Sequence, residues 1–427
     1  MDNIKNEIFE LIKKFFENKK TEFASNSSKV TVGYPVFDEK EVISALDSLL
    51  NLRISQGEKV KTFEKDFSEY IGTKYGTAVN SGSSANLIAI SSLIESGMVK
   101  RGAEVIVPAA TFTTVVSPLI QNGLVPKFVD IEMDTYNIDP DEIENAIDEK
   151  TGLILVVHSL GCPAKIERIM EIAKKHNLPV MEDCCEAHGA EINGEKVGSF
   201  GDISTYSFFV AHNMTTGEGG IVLTNNEALD SILRSIREFG RLKEYKGNKR
   251  FYYTDQKLKN YDERYIFTTI GYNVRMTDIA ASLGIEQLKK LDGFNNRRVE
   301  IAKKYSENLS KFSDYLILPK VPSDSFHSFY GYVIMVKENG KFNRLDIVTF
   351  LEKNSIETRG FMGGNLALQP AYRNENIKIS GDLKNTNYIL NNAFFIGCHP
   401  FISEKGIEHV IKTFENLFKK NIKTFEI

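Results

Sequence analysis

The sequence predicts an α/β fold with a mostly parallel central sheet and a smaller C-terminal α+β domain. Short apolar runs of strand length alternate with amphipathic helical segments, which is typical of parallel strands covered by helices on both faces. The chain has 427 residues, enough for one large domain and a second, smaller one. Pro319 and Pro322 interrupt the pattern where the second domain is expected to begin.

Each predicted element follows from its periodicity and its flanking residues. Six strands are predicted in the large domain: Glu104–Val107, Lys127–Ile131, Leu153–His158, Val180–Cys184, Ser204–Phe209 and Ile221–Thr224. Its predicted helices are Lys165–His176, Thr277–Leu291 and Arg297–Phe312. In the small domain we expect a strand at Tyr330–Val336 and helices at Arg344–Lys353 and Ile407–Phe418.

These elements set the expected domain boundaries. Residues 1–30 are predicted to form a helical extension, residues 31–315 the large domain and residues 316–427 the small domain. Met1–Lys20 has the mixture of apolar and charged residues of an amphipathic helix, which packs against the body, a partner subunit or, alternatively, a membrane surface. Arg241–Tyr265 is rich in Lys, Tyr, Asn and Asp, and indicates a long surface excursion.

Composition narrows the functional class. With 53 Lys and Arg against 57 Asp and Glu, the net charge of −4 indicates neither a nucleic-acid nor an anionic membrane surface. We expect no membrane span and no signal peptide. The four cysteines, Cys162, Cys184, Cys185 and Cys398, form no CxxC pair, so we expect free thiols, no metal site and a cytoplasmic location.

A loop of small polar residues, Asn80–Asn86, precedes the helical run Leu87–Leu93. Such a loop offers free backbone N–H groups at the positive end of a helix dipole, which makes it a candidate phosphate site. An ordinary N-cap explains the same composition, because capping needs only one such residue.

The predicted strand at Val180 ends in two carboxylates, Glu182 and Asp183. Charged groups at the carboxyl end of a strand in an α/β sheet usually face the ligand crevice. A carboxylate there can hold a protonated ring nitrogen of a cofactor. The alternative is a carboxylate that caps the following turn.

A third candidate site lies in the segment Ser207–Gly220, where a strand ends, a polar turn carries His212 and a glycine-rich stretch leads to the next strand. The residues alone are a weak signal. Glycine pairs occur in many hairpins, and a single histidine is more often structural than catalytic.

Together these segments resemble the DegT/DnrJ/EryC1/StrS family of sugar aminotransferases. The family motif reads Ser-Phe, three variable residues, Lys, one variable residue, Leu or Met, Thr, one variable residue and Gly-Glu-Gly-Gly. Ser207-Phe208, Met214-Thr215 and Gly217–Gly220 match it, but His212 occupies the lysine position. The likeness covers nearly the whole chain. It implies the type I PLP-dependent, aspartate aminotransferase-like fold and a homodimer with shared active sites.

The resemblance also implies the contacts of the cofactor phosphate and ring. Gly82, Ser83, Ser84 and Ser207 match positions that bind the phosphate, and Phe112 matches the aromatic residue that stacks on the pyridine.

The remaining implied contacts involve four positions. Asp183 matches the partner of the pyridine nitrogen, and Glu186 stands where the family usually has glutamine. Asn273 matches a residue that reaches the neighbouring subunit's phosphate. Arg359 lies in a segment that the family uses near the substrate, so it is a candidate to bind a carboxylate or a diphosphate. The alternative is an ordinary surface arginine.

Histidine in the lysine position resembles one subset of the family, the 3-dehydratases of nucleotide-linked 4-keto-6-deoxyhexoses. Imidazole cannot anchor the cofactor covalently but can move protons, so this subset implies non-covalently bound PMP or PLP. Members acting on CDP-sugars carry a cysteine-rich insert for a [2Fe–2S] cluster. Leu242–Tyr265 contains no cysteine, so no cluster is expected. As in members acting on GDP-sugars, L-glutamate is expected to regenerate PMP.

The implied reaction is the removal of the C3 hydroxyl from the sugar, as in deoxysugar synthesis for lipopolysaccharide O-antigens. His212 would be the catalytic acid–base, while Asp183 keeps the pyridine nitrogen charged. Two alternatives stay open: a C4 aminotransferase that uses another lysine, and a non-catalytic binding protein of the same fold. The residues carry no code for the nucleotide or the sugar.

Overall fold

The computed structural model describes residues 2–23, 29–242, 257, 258, 260–338 and 341–419. Fifteen strands are assigned within these ranges. In chain order they are β1 (Tyr75–Val79), β2 (Glu104–Pro108), β3 (Val125–Val129), β4 (Thr151–Val157), β5 (Val180–Asp183), β6 (Glu191–Ile192), β7 (Glu195–Lys196), β8 (Ile203–Ser207), β9 (Gly220–Thr224), β10 (Leu316–Ile317), β11 (Ser325–Phe326), β12 (Gly331–Val336), β13 (Thr358–Gly360), β14 (Lys378–Ile379) and β15 (Ala393–Gly397).

The α-helices of the same ranges alternate with these strands over most of the chain. They are α1 (Asp2–Phe23), α2 (Glu39–Leu50), α3 (Glu58–Ile71), α4 (Gly82–Glu95), α5 (Thr113–Gln121), α6 (Pro140–Ala146), α7 (Ile166–His176), α8 (Glu227–Arg237), α9 (Asp278–Leu288), α10 (Leu291–Leu309), α11 (Arg344–Lys353), α12 (Lys384–Asn392) and α13 (Glu404–Lys419). None of these helices combines the length and the apolar content that a membrane crossing requires.

Eight strands form the large sheet in the order β1-β9-β8-β5-β4-β2-β3-β14. All pairings from β8 to β14 are parallel, whereas β9 runs antiparallel to both of its neighbours. The predicted mostly parallel α/β sheet is therefore confirmed. Parallel strands need crossover connections, and helices such as α5 and α7 provide them.

Buried apolar residues cover both faces of this sheet. One core joins strand residues such as Val107 and Val222 to Ile88 of α4 and Leu233 of α8. The other joins Ile154 of β4 to residues of α6 and α7. Strands that are apolar on both sides have no face for solvent, which fixes the sheet as the central layer.

A second sheet of four antiparallel strands, in the order β10-β12-β15-β13, lies in the C-terminal part. Its core contains Ile334 and Phe394 from the strands together with Tyr305 of α10 and Phe414 of α13. A third, small sheet has the order β11-β6-β7. The predicted strand and helices of the C-terminal region thus form an α+β arrangement.

Several boundaries differ from the predicted ones. The helix predicted to follow the polar loop begins within it, at Gly82, because Ser81 caps the helix through the Ser84 N–H at 3.1 Å. Strand β3 lies two residues earlier than predicted, at Val125–Val129. Most of the predicted excursion Arg241–Tyr265 lies outside the described residues.

Candidate active site

A cavity of about 370 Å³ lies where parallel strands β4, β5 and β8 end. This is the edge at which α/β sheets bind ligands, and the volume lies within the usual range for small-molecule sites. Its wall includes seven of the predicted site residues: Gly82, Ser83, Phe112, Asp183, Glu186, Ser207 and His212.

One end of the cavity is built by the first turn of α4. The backbone N–H groups of Gly82 and Ser83 have no acceptor within their own helix, as is general for a first turn. A Cβ on Gly82 would lie 2.5 Å from the Cβ of Ser207. Only glycine therefore lets these two segments of the chain approach so closely. The resulting cluster of N–H and hydroxyl donors suits an anion. Ser84 does not line the cavity, because its N–H donates to Ser81.

The two adjacent carboxylates of β5 have different surroundings. Asp183 lines the cavity, and its carboxylate accepts hydrogen bonds from Asn86 Nδ2 at 2.7 Å and the Cys185 N–H at 3.0 Å. Successive side chains on a strand point to opposite faces, so Glu182 turns away.

Glu182 is fully buried in a structural network. It accepts hydrogen bonds from His158 Nε2 at 3.0 Å and from the backbone N–H groups of Gly198, Phe200 and Gly201. His158 Nδ1 in turn accepts from a backbone N–H. Although His158, Glu182 and Cys184 lie close together, these hydrogen bonds already occupy the first two, so the cluster does not indicate a metal site.

His212 lies in a turn that buried side chains hold in place. Its N–H donates to the Phe209 carbonyl at 3.0 Å. On the next residue, Asn213 Nδ2 donates to Asn295 Oδ1 at 2.8 Å and to the Ser328 carbonyl at 2.9 Å. Thr215 Oγ1 donates to the Phe208 carbonyl. The hydrogen bonds of the turn and of its polar side chains therefore fix the position of His212.

The imidazole of His212 is free to act chemically. Its Nδ1 is buried and makes no hydrogen bond with the described part of the chain. Tyr330 packs beside the ring, with centroids 5.2 Å apart. Burial, together with the positive charge of Arg298, lowers the pKa of His212 to about 3. The ring is therefore neutral near pH 7, which is the form that accepts a proton.

Glu186 lies between this cavity and a second pocket of about 410 Å³. Its Oε2 accepts the Leu160 N–H at 2.9 Å. Burial raises the pKa of Glu186 to about 8, and the nearby charge of Asp183 adds to the rise, while the bond from Leu160 opposes it. The carboxyl group is therefore largely protonated at neutral pH, unlike an ordinary surface glutamate.

We expect Glu186→Gln to change how the stability of the cofactor-free protein depends on pH. The folded chain keeps a proton that the unfolded chain releases, so stability is highest at low pH and falls as pH rises from the ordinary pKa of 4.5 to about 8. Glutamine has no such proton. From pH 5 to pH 9 the variant should gain about 4 kcal/mol relative to wild type.

Urea unfolding at the two pH values measures this difference. Glu195→Gln, at an exposed position, is the control and should show none. Equal pH dependence of wild type and Glu186→Gln would contradict the protonated state of Glu186.

Besides Ser84, two predicted residues lie outside the first cavity. Arg359 lines the second pocket, where it donates to the Thr358 carbonyl at 2.8 Å and forms an ion pair with Glu357. Asn273 is exposed and accepts a hydrogen bond from Arg275 Nε at 3.1 Å. Neither position contradicts the predicted role, since one concerns the substrate and the other a partner subunit.

Three further residues shape the site without having been predicted. Tyr330 lines both pockets and comes from the chain segment just before β12. Arg298 of α10 is buried and donates to the Phe329 and Tyr330 carbonyls at 3.1 Å. Asn86 holds Asp183. Of these, only Asn86 lies in a segment that the sequence singled out, the polar loop Asn80–Asn86.

The cavity fits a phosphorylated pyridine cofactor. Gly82 and Ser207 form a close donor cluster for a phosphate, Phe112 offers an aromatic ring, and Asp183 offers a carboxylate to a ring nitrogen. His212 keeps an unpartnered nitrogen in the same space. None of the described residues that line either pocket is a lysine. The fold and the site therefore define the class of type I PLP-dependent enzymes, without the usual covalent anchor.

The comparisons identify the family. Residues 36–415 match the DegT/DnrJ/EryC1/StrS aminotransferase family, and the chain belongs to it. It is 36% identical to dTDP-4-dehydro-2,6-dideoxy-D-glucose 3-dehydratase from Saccharopolyspora spinosa, over 95% of this chain and 90% of the relative. It is also 36% identical to GDP-4-keto-6-deoxy-D-mannose 3-dehydratase from Yersinia pseudotuberculosis, over 92% and 100%.

Solved structures agree with this assignment. The crystal structure of a GDP-4-keto-6-deoxymannose-3-dehydratase with a trapped PLP-glutamate geminal diamine superimposes with a TM-score of 0.83 and 30% identity. The match covers 90% of this chain and 99% of that chain. The predicted family and aspartate aminotransferase-like fold are confirmed.

Proposed function

We propose that the chain is a PMP- or PLP-dependent 3-dehydratase that removes the C3 hydroxyl group of a nucleotide-linked 4-keto-6-deoxyhexose. The observation that carries the proposal is His212, which stands at the lysine position of the family motif in a cavity where none of the described lining residues is a lysine. The names of the similar 3-dehydratases support the reaction type.

Different residues of the cavity would bind the phosphate and the ring of the cofactor. Gly82, Ser83 and Ser207 would hold the phosphate, Phe112 would stack on the ring, and Asp183 would keep the ring nitrogen protonated. When bound, the pyridoxamine form of the cofactor supplies an amine for the C4 ketone and a ring that accepts electrons as the C3–O bond breaks.

His212 would move protons at the boundary between cofactor and sugar. A neutral imidazole accepts a proton, and the imidazolium that results can give a proton to the departing C3 hydroxide. Because the imidazole cannot form a stable covalent link to an aldehyde, phosphate and ring contacts alone would retain the cofactor.

L-Glutamate is the proposed amino donor, by analogy with the glutamate adduct in the similar crystal structure. In the balanced reaction the sugar loses the C3 oxygen, glutamate is oxidised to 2-oxoglutarate, and ammonia is released.

The substrate would occupy the second pocket. Arg359 lines this pocket and would bind a carboxylate or a diphosphate of the bound molecule. Free thiols suit a cytoplasmic enzyme.

A homodimer with shared active sites would complete the enzyme. Asn273 is exposed, and the nearby apolar side chains Phe267 and Ile270 are 53% and 86% exposed. Such residues are expected at an interface, and two-fold dimers are the commonest oligomers.

An assay with CDP-, GDP-, dTDP- and UDP-linked 4-keto-6-deoxyhexoses tests the proposed reaction. With PMP and glutamate present, we expect one substrate to yield a product that lacks one oxygen atom by mass spectrometry, together with ammonia. An amino sugar without ammonia would instead show an aminotransferase. Consumption of none of the four would favour a non-catalytic binding protein.

A further inference from the structure

A buried amide, Asn86 of α4, contacts the carboxylate that faces the cofactor cavity. Asn86 is 1% exposed, and its Nδ2 lies 2.7 Å from Asp183 Oδ2 and 3.1 Å from the Thr114 carbonyl oxygen. Its Oδ1 accepts the hydroxyl of Thr205, which is fully buried, at 2.7 Å. Every polar atom of the Asn86 side chain therefore has a partner.

These partners determine the orientation of the amide. The Thr114 carbonyl oxygen can only accept a hydrogen bond, so the atom of Asn86 that faces it must be the nitrogen. The same nitrogen faces Asp183, which must then accept. Rotating the amide by 180° would place Oδ1 against two acceptor oxygens and would leave buried polar atoms unpaired. The Thr205 hydroxyl holds the opposite end of the amide.

The consequence for Asp183 is a carboxylate that is held in one orientation. One oxygen accepts from Asn86, and the other accepts the Cys185 N–H at 3.0 Å. A carboxylate has about four acceptor positions, so positions remain for a donor in the cavity that Asp183 lines.

We propose that Asn86 is a positioning residue, which with Thr205 holds the Asp183 carboxylate in the orientation that keeps a pyridine nitrogen of the cofactor protonated. The inference rests on the proposed function only in taking the cavity to be the cofactor site. Asn86 does not touch the cofactor, so its effect reaches the ring through Asp183.

Titration of bound PMP tests the proposal directly, because the ultraviolet band of PMP shifts when its ring nitrogen loses a proton. Asn86→Leu keeps similar volume but removes the donor. We expect the pH midpoint of this shift to fall by about one unit and PMP affinity to fall about tenfold. Thr205→Val, which removes only the orienting hydroxyl, should shift both values in the same direction by less.

Asn122→Leu is the matched control. Asn122 is also a buried amide, with Nδ2 donating to the Pro118 carbonyl at 2.9 Å, but it does not line the cavity. This control should lower thermal stability and leave the PMP titration unchanged. If Asn86→Leu and Thr205→Val behave like Asn122→Leu, Asn86 has only a structural role and the proposal is overturned.

The PMP titration tests the role of Asn86 independently of the proposed dehydration reaction. Wild-type protein that binds PMP but deoxygenates no sugar would disprove the dehydratase while the titration still judges Asn86. Wild-type protein that binds no PMP would overturn both. Should Asn86→Leu fail to fold, the midpoint measured for Thr205→Val decides.

Discussion

The variant His212→Asn is expected to lose turnover by a factor of about 10² to 10⁴, the usual contribution of a positioned acid–base. Asparagine resembles imidazole in reach but neither accepts nor donates the proton that the reaction moves. Because residues other than His212 would supply the phosphate and ring contacts, PMP affinity should change less than threefold, an estimate that follows from the additivity of separate contacts. Single-turnover rates and PMP titration measure the two effects.

A second substitution at the same position gives the control. Lysine in place of His212 restores the family motif, so borohydride should trap PLP covalently on the His212→Lys variant, and amination at C4 should replace dehydration. Borohydride should trap no PLP on wild type or His212→Asn. Covalent PLP on wild type would contradict the assigned role of His212, because it would show that another amine holds the cofactor.

The central part of the sheet was predictable because its strands are apolar on both faces and have clear turn residues around them. Six of the eight strands of the large sheet were predicted within two residues or less at their first residue: β2, β3, β4, β5, β8 and β9. Strand β1, Tyr75–Val79, was not predicted, because its short sequence is only partly apolar and its antiparallel partner is distant in the chain. Strand β14 has two residues, and tertiary pairing with β3 defines it.

The same distinction applies to the site: residues within a local motif were predictable, and residues that reach the site from distant parts of the chain were not. Gly82, Asp183 and His212 each lie in a motif whose local structure brings them to a strand or helix end. Arg298 and Tyr330 reach the site from distant parts of the chain, through the packing of α10 and the small sheet. No spacing in the sequence encodes that approach.

The role proposed for His212 depends on both the sequence motif and the surroundings of the side chain. The sequence identifies an unusual residue at a motif position. Only the structure shows that, among the described residues, its Nδ1 has no partner and no lysine lines the cavity. These two observations support the hypothesis that His212 transfers protons and does not merely replace a lysine in the motif.

The adjacent carboxylates of β5 give the second large prediction, in which one substitution mainly lowers turnover and a similar one mainly lowers stability. Asp183→Asn keeps the shape but removes the negative charge facing the cavity. The loss of one preorganised electrostatic partner should lower turnover about 10² to 10³-fold. The melting temperature should fall less than in Glu182→Gln, because Asp183 accepts two hydrogen bonds and only one of these donors would face the new amide nitrogen.

Glu182→Gln should instead lower stability by about 2–4 kcal/mol and leave turnover per folded molecule nearly unchanged. Glu182 accepts four hydrogen bonds away from the cavity, and an amide nitrogen at one of those positions would face a donor. Turnover and urea unfolding of both variants measure the contrast. If Asp183→Asn kept full turnover while Glu182→Gln lost it, the assignment of the cavity-facing carboxylate would be wrong, since neighbouring residues on a strand face opposite sides.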